Sequence, residues 1–83
     1  MSKQVCLIAG VGPGTGTECA RRFALGGYRV AMLARNRERL NILETEIEGA
    51  RGYVCDVANL DQLLETTERI SVDLAPPHIA IHN

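Results

Sequence analysis

Four glycines and a proline crowd the run Ala9-Gly10-Val11-Gly12-Pro13-Gly14-Thr15-Gly16. The run follows an apolar stretch, Val5 to Ala9, and precedes a helix-like segment, Thr17 to Leu25. A strand, a glycine-rich turn and a helix N-terminus together form a place to put a pyrophosphate. Backbone N–H groups at the helix start point toward the ligand, and the helix dipole favours its negative charge. Glycine lets the backbone come close where a Cβ would collide. The plain alternative is a tight turn that binds nothing; so much glycine ahead of an amphipathic helix argues against it.

The spacing narrows the choice. The common fingerprint G-x-G-x-x-G/A fails here, because counting from Gly10 it ends on Thr15 and counting from Gly12 on Thr17. The pattern that fits is G-x-x-x-G-x-G, at Gly10, Gly14 and Gly16.

The remaining elements alternate. Val5 to Ala9 is uninterruptedly apolar, as in a strand buried on both faces of a parallel sheet. In the first helix Cys19, Ala20, Phe23 and Ala24 share a side, and Gly26-Gly27 supplies a C-cap. Tyr28 to Ala34 reads as a second strand. Asn36 is a natural N-cap for a helix running to about Glu48, with Leu40, Leu43 and Ile47 as its buried stripe and Gly49 or Gly52 as its stop. Gly52 to Cys55 is a short third strand. A third helix starts at Asn59 or Asp61, with Leu60, Leu63, Leu64 and Ile70 expected inward, and Pro76-Pro77 closes that region before a fourth strand, His78 to His82. This β-α-β-α-β-α-β order predicts an α/β fold, a parallel, doubly wound Rossmann-type half sheet. Right-handed crossovers give strand order 3-2-1-4 with helices on both faces.

Composition excludes several classes. Eighty-three residues make one small domain at most, and 46% hydrophobic residues suffice for a core. A net charge of −1, with bases and acids interleaved, offers no nucleic-acid footprint. The apolar stretches are too short to span a bilayer, and no signal-peptide core is visible. Cys6, Cys19 and Cys55 are odd in number and widely spaced, so they read as buried reduced thiols of a cytoplasmic protein, with no metal site expected.

From its first strand to its last residue the chain resembles the short-chain dehydrogenase/reductase family, whose glycine pattern is the one at Gly10, Gly14 and Gly16. The resemblance implies a nicotinamide dinucleotide as partner. Ligands of such sheets lie beyond the carboxyl ends of the strands. Gly10, Val11, Gly12, Pro13, Gly14, Thr15 and Gly16 would line the phosphates, with the hydroxyls of Thr15 and Thr17 serving more as helix caps than as ligands. At the end of strand two an NAD-specific fold places an acid against the ribose 2′-hydroxyl. Ala34 stands there instead, followed by Arg35, whose planar fork suits a phosphate. This resembles family members that prefer NADP(H) over NAD(H). Asn36 and, more weakly, Arg37 adjoin the same site, whereas the family's other basic position, before the second glycine, is Pro13.

At the end of strand three the family uses an Asp for the adenine amino group and an apolar neighbour for the ring; Asp56-Val57 matches both. The competing reading is an Asx cap by Asp56. One short side chain does not easily serve both, and the context favours adenine. Strand four ends His82-Asn83, where the family has Asn-Asn-Ala-Gly. Asn83 aligns with its second Asn and is counted with the cofactor site, while His82 departs from the pattern and His78 reads as structural.

The family's Ser-Tyr-Lys chemistry lies C-terminal to this point. Neither Tyr28 nor Tyr53 has a lysine at the Y-x-x-x-K spacing, and Lys3 is the sole lysine, so no catalytic residue is named. The chain is expected to be residues 1–83 of a longer oxidoreductase, its N-terminal cofactor-binding segment ending at strand four, inactive alone. The parent would move hydride between the cofactor and a carbonyl or alcohol substrate, and a homo-oligomeric parent is left open. A non-catalytic nucleotide-binding sensor or regulatory module is the alternative.

Overall fold

The structure is a computed structural model that describes residues 3–10 and 15–82. Its elements are β1 (Val5–Ala9), α1 (Thr15–Leu25), β2 (Arg29–Ala34), α2 (Arg37–Glu46), β3 (Ala50–Val54), α3 (Leu60–Asp73) and β4 (Ile79–His82). The four strands form one parallel sheet in the order β3-β2-β1-β4, as the alternation of elements predicts.

Period-two alternation along the central strands divides the core. Cys6, Ile8, Val30 and Met32 point to one face, where Ala20 of α1 and Leu40, Leu43 and Ile47 of the α2 region cover them. Val5, Leu7, Ala9, Ala31 and Leu33 point to the other face, packed by Tyr53, Cys55 and Ile70 of α3. Two helices therefore cover one face and one helix the other.

The helix boundaries have local causes. Asn36 caps α2, its side-chain oxygen accepting from the Arg39 N–H at 3.1 Å, and Asn59 caps α3 in the same way through Gln62 N–H at 3.1 Å. Gly27 (φ +95°) and Gly49 (φ +91°) carry the left-handed turns after α1 and α2. At Gly52 the reason for glycine is space: an added Cβ would lie 2.7 Å from Leu40 Cβ, so α2 rests directly on the β3 backbone.

Four expectations shift. α1 begins at Thr15 rather than Thr17, and β3 occupies Ala50–Val54 rather than residues 52–55. Leu60 and Leu64 do not face inward; they are 66% and 58% exposed. α3 is alone on its face of the sheet, so it has one covered side, along Leu63, Thr66 and Ile70, and positions 60 and 64 fall on the far side. Cys6 and Cys55 are buried free thiols, but Cys19 is only partly covered. Burial, and then the neighbouring Cys19, pushes the Cys6 thiol up from its ordinary value.

Candidate functional site

In a parallel β-α-β chain every helix starts near the carboxyl ends of the strands, so the N-termini of α1, α2 and α3 gather at one edge of this sheet. That edge holds an open cavity of about 450 Å³. Gly10, Ala34, Arg35, Asp56, Val57 and Ala58 border it, over Leu33 and Cys55. Residues from the ends of β1, β2 and β3, widely separated in sequence, thus meet in one cleft.

Gly10 leaves β1 with φ +81°, a conformation that favours glycine, and its N–H donates to the Leu33 carbonyl at 2.9 Å. The bond fixes where the glycine-rich segment departs from the sheet. Val11, Gly12, Pro13, Gly14 and Asn83 lie outside the described residues, as does the Thr15 side chain. Gly16 is buried inside α1. Thr17, the third residue of α1, lies past the N-cap position assigned to it from sequence.

Ala34 ends β2, and its carbonyl accepts from the Cys55 N–H at 2.9 Å, carrying the β2–β3 ladder up to the cleft. Arg35 and Arg37 are exposed, and neither joins an ion pair among the described residues. The Asn36 side-chain oxygen is engaged in the α2 cap.

Asp56 makes the Asx turn that the sequence offered as the competing reading. Its Oδ1 accepts from the Ala58 N–H at 3.0 Å, while its own N–H donates to Gln62 Oε1 at 3.0 Å. A carboxylate has two oxygens, so the turn occupies one and leaves Oδ2 without a partner among the described residues. Val57 is partly buried and packs against the α3-side core.

His78 is structural, as expected: its N–H donates to the Val5 carbonyl at 2.8 Å and its Nδ1 accepts from the Val5 N–H at 3.2 Å, joining β4 to β1. His82 sits opposite Ala9 in the β1–β4 register. No group of three His, Cys, Asp or Glu residues that could hold a metal occurs among the described residues, and no described helix is long and apolar enough to cross a membrane.

One residue escapes sequence reasoning. Arg39, in the first turn of α2, donates from Nη2 to Thr17 Oγ1 at 2.9 Å, while its Nε is buried with no hydrogen-bond partner among the described residues. A cation near a helix start reads in sequence as a solvated surface group, and nothing local signals that α1 will cover it.

Comparison with known proteins agrees with this architecture. An uncharacterized oxidoreductase of Mycobacterium bovis is 30% identical over 96% of this chain and 26% of its own length. The structure of an actinorhodin polyketide ketoreductase variant with NADPH superposes with a TM-score of 0.92 at 28% identity, covering 100% of this chain and 34% of the ketoreductase. A metagenomic short-chain oxidoreductase in complex with NADP gives 0.86 at 26% identity, over 96% of this chain and 38% of that one. The chain thus spans about a quarter of the length of the first curated relative it matches. The short chain dehydrogenase family model matches residues 4–83, and with the 3-2-1-4 sheet and the cleft at its carboxyl edge this chain belongs to the short-chain dehydrogenase family.

Proposed function

We propose that this chain is the cofactor-binding part of an oxidoreductase that uses NADP(H) in preference to NAD(H). The observation that carries the reading is the end of β2: Ala34, with no carboxylate to repel a phosphate, borders the cleft beside the exposed guanidinium of Arg35, which joins no ion pair among the described residues. The similar ketoreductase structure is with NADPH and the metagenomic oxidoreductase is in complex with NADP, which supports the same choice.

In this reading the residues divide the ligand among them. Gly10, Val11, Gly12, Gly14, Thr15 and Gly16 bring backbone N–H groups and the α1 N-terminus to the pyrophosphate, and Pro13, which has no N–H, contributes shape to the loop. Arg35 holds the 2′-phosphate, with the Asn36 amide beside it. Asp56 Oδ2 takes the adenine amino group while Oδ1 keeps the turn rigid, and Val57 packs on the ring. Asn83 borders the cofactor at the end of the fourth strand. The residues present fit the group: a left-handed glycine and, among the described residues, an arginine in no ion pair and a carboxylate with one oxygen engaged border one cavity. When bound, the cofactor supplies hydride chemistry toward a carbonyl or alcohol. The chain's own part is to bind and orient; proton transfer and substrate recognition fall to residues beyond it, so the 83 residues alone are inactive.

Calorimetric titration tests the reading. Arg35→Ala is expected to weaken NADP+ binding by about 1–3 kcal/mol, the cost of losing a charge-assisted contact, and to leave NAD+ binding nearly unchanged. Equal losses for both would assign Arg35 to the fold. Gly14→Val is expected to abolish binding while the far-ultraviolet circular dichroism of the helices persists; loss of both together would make that glycine a packing residue.

A further inference from the structure

We propose that Gln62, which does not itself border the cleft, is a positioning residue of the nucleotide site: its side-chain oxygen holds Asp56 in the arrangement that selects a 6-aminopurine. The inference rests on the cofactor assignment above and deepens it.

Asp56 follows Cys55, whose N–H donates to the Ala34 carbonyl at 2.9 Å, so the chain leaves β3 from a fixed point. Three further bonds converge on Asp56. Its N–H donates to Gln62 Oε1 at 3.0 Å, its carbonyl accepts from the Asn59 N–H at 2.9 Å, and its Oδ1 accepts from the Ala58 N–H at 3.0 Å. The last two are ordinary for a short turn ahead of a helix. The first reaches further: it ties the exit of β3 to a side chain six residues on, in the first turn of α3.

Gln62 stands three residues after the cap residue Asn59. A glutamine at that place ordinarily reaches back to the N–H of the cap residue. Here that N–H is already taken by the Asp56 carbonyl, and Asn59 Oδ1 closes the helix start by accepting from the Gln62 N–H at 3.1 Å. α3 thus has its cap without the Gln62 side-chain amide, which passes over Asn59 to Asp56. Nor is the contact a by-product of packing, because Gln62 is exposed. What the bond does is fix the backbone of a residue that borders the cavity.

The consequence falls on the carboxylate. The Asp56 backbone is held at both its N–H and its carbonyl, and the turn holds Oδ1, so Oδ2 is presented in one direction. A carboxylate oxygen so held suits the 6-amino group of adenine, a donor, and opposes the 6-oxo group of hypoxanthine, an acceptor. Without the Gln62 oxygen the turn can open and the carboxylate can rotate, and binding must then include the cost of ordering it. That cost falls on the ligand that uses Oδ2.

The test uses the complete 83-residue chain and two probes, NADP+ and its analogue with hypoxanthine in place of adenine. Each is titrated calorimetrically against the parent, Gln62→Leu, which removes the oxygen at similar shape, and Gln62→Glu, which keeps it. Hydrogen exchange at the Asp56 amide is followed in all three proteins. The parent is expected to prefer NADP+; in Gln62→Leu that preference should fall roughly fivefold through weaker NADP+ binding, with the hypoxanthine probe changed less than about twofold. Gln62→Glu should restore the preference, since its added charge acts on both probes alike. The Asp56 amide should exchange faster in Gln62→Leu and stay protected in Gln62→Glu. With a parent that prefers NADP+, the inference is overturned, and the cofactor assignment left standing, by an unchanged preference in Gln62→Leu, by equal losses for both probes, by no recovery in Gln62→Glu, or by equal Asp56 exchange in all three proteins. A parent that binds both probes equally would overturn the inference together with the adenine role of Asp56. A parent that binds neither would overturn the cofactor assignment as well.

Discussion

Replacing Gly52 with alanine tests how closely α2 is bound to the sheet, and so how firmly the cleft is framed. The added Cβ would lie 2.7 Å from Leu40 Cβ and 3.2 Å from both Cγ and Cδ2. Ordinary contact starts at 3.4 Å, so α2 must retreat by about 0.7 Å at this point, or β3 must bend away. Neither is free. Leu40 is fully buried among Ile8, Val30 and Met32, and the Gly52 N–H donates to Glu44 Oε2, one turn along the same helix, at 2.6 Å. Overpacking of this kind costs about 1–3 kcal/mol. For a chain of this length each kcal/mol lowers the melting temperature by roughly 4–8 °C. Thermal unfolding followed by circular dichroism at 222 nm reads the effect. Adding Leu40→Ala is expected to bring no rescue, because the nearest atom is Cβ, which alanine keeps. A Gly52→Ala melting temperature indistinguishable from the parent's would refute the close approach of α2 and β3.

Three further outcomes follow from the structure. Tyr53, which ordinarily ionises near 10, is pushed up to about 12, by burial first and then by its hydrogen bond to Asp73 at 3.1 Å; the folded state holds the phenol proton more tightly than the unfolded state, so stability is retained below pH 10 and lost as pH rises from about 10 toward 12, and Tyr53→Phe should flatten that loss in urea titrations at stepped pH, whereas an unchanged slope would place its origin elsewhere. Mass-spectrometric mapping of iodoacetamide labelling should find Cys19 modified ahead of Cys6 and Cys55, which are 0% and 1% exposed, and simultaneous labelling of all three would contradict the packed core. Ala80 is exposed on β4, an edge strand of this sheet, so Ala80→Lys should reduce self-association in sedimentation velocity, and an unchanged profile would show that association does not use that edge.

The sequence makes the sheet legible because each signal for it is local. Val5 to Ala9 is apolar without a break, Asn36 and Asn59 mark helix starts, and alternation with right-handed crossovers then leaves one strand order. The errors come from properties that are not local. Leu60 and Leu64 are apolar at helical spacing, yet which side of α3 meets the sheet depends on how many helices share that face, and here there is one. In the cleft, the grouping of Gly10, Ala34, Arg35, Asp56 and Val57 was readable because each ends a strand. Whether Asp56 caps its turn was not, since an Asx bond and a ligand contact demand the same residue at the same place; the structure gives the turn one oxygen. Arg39 was invisible for a different reason. Its hydrogen-bond partner, Thr17, lies on α1, twenty-two residues away in the chain, and no periodicity within α2 reports it.

The most direct test of the account is where NADP+ touches the chain. In an amide nitrogen–proton correlation spectrum titrated with NADP+, the account predicts saturable shifts at Gly10, Arg35, Asp56, Val57 and Ala58, the residues around the carboxyl-edge cavity. Lys3, Glu46 and Glu48, which line a separate pocket at the other end of the sheet, should stay still. Shifts confined to that opposite pocket, spread evenly over the surface, or absent at saturating NADP+ would contradict the assignment of this fold as a nucleotide-binding segment.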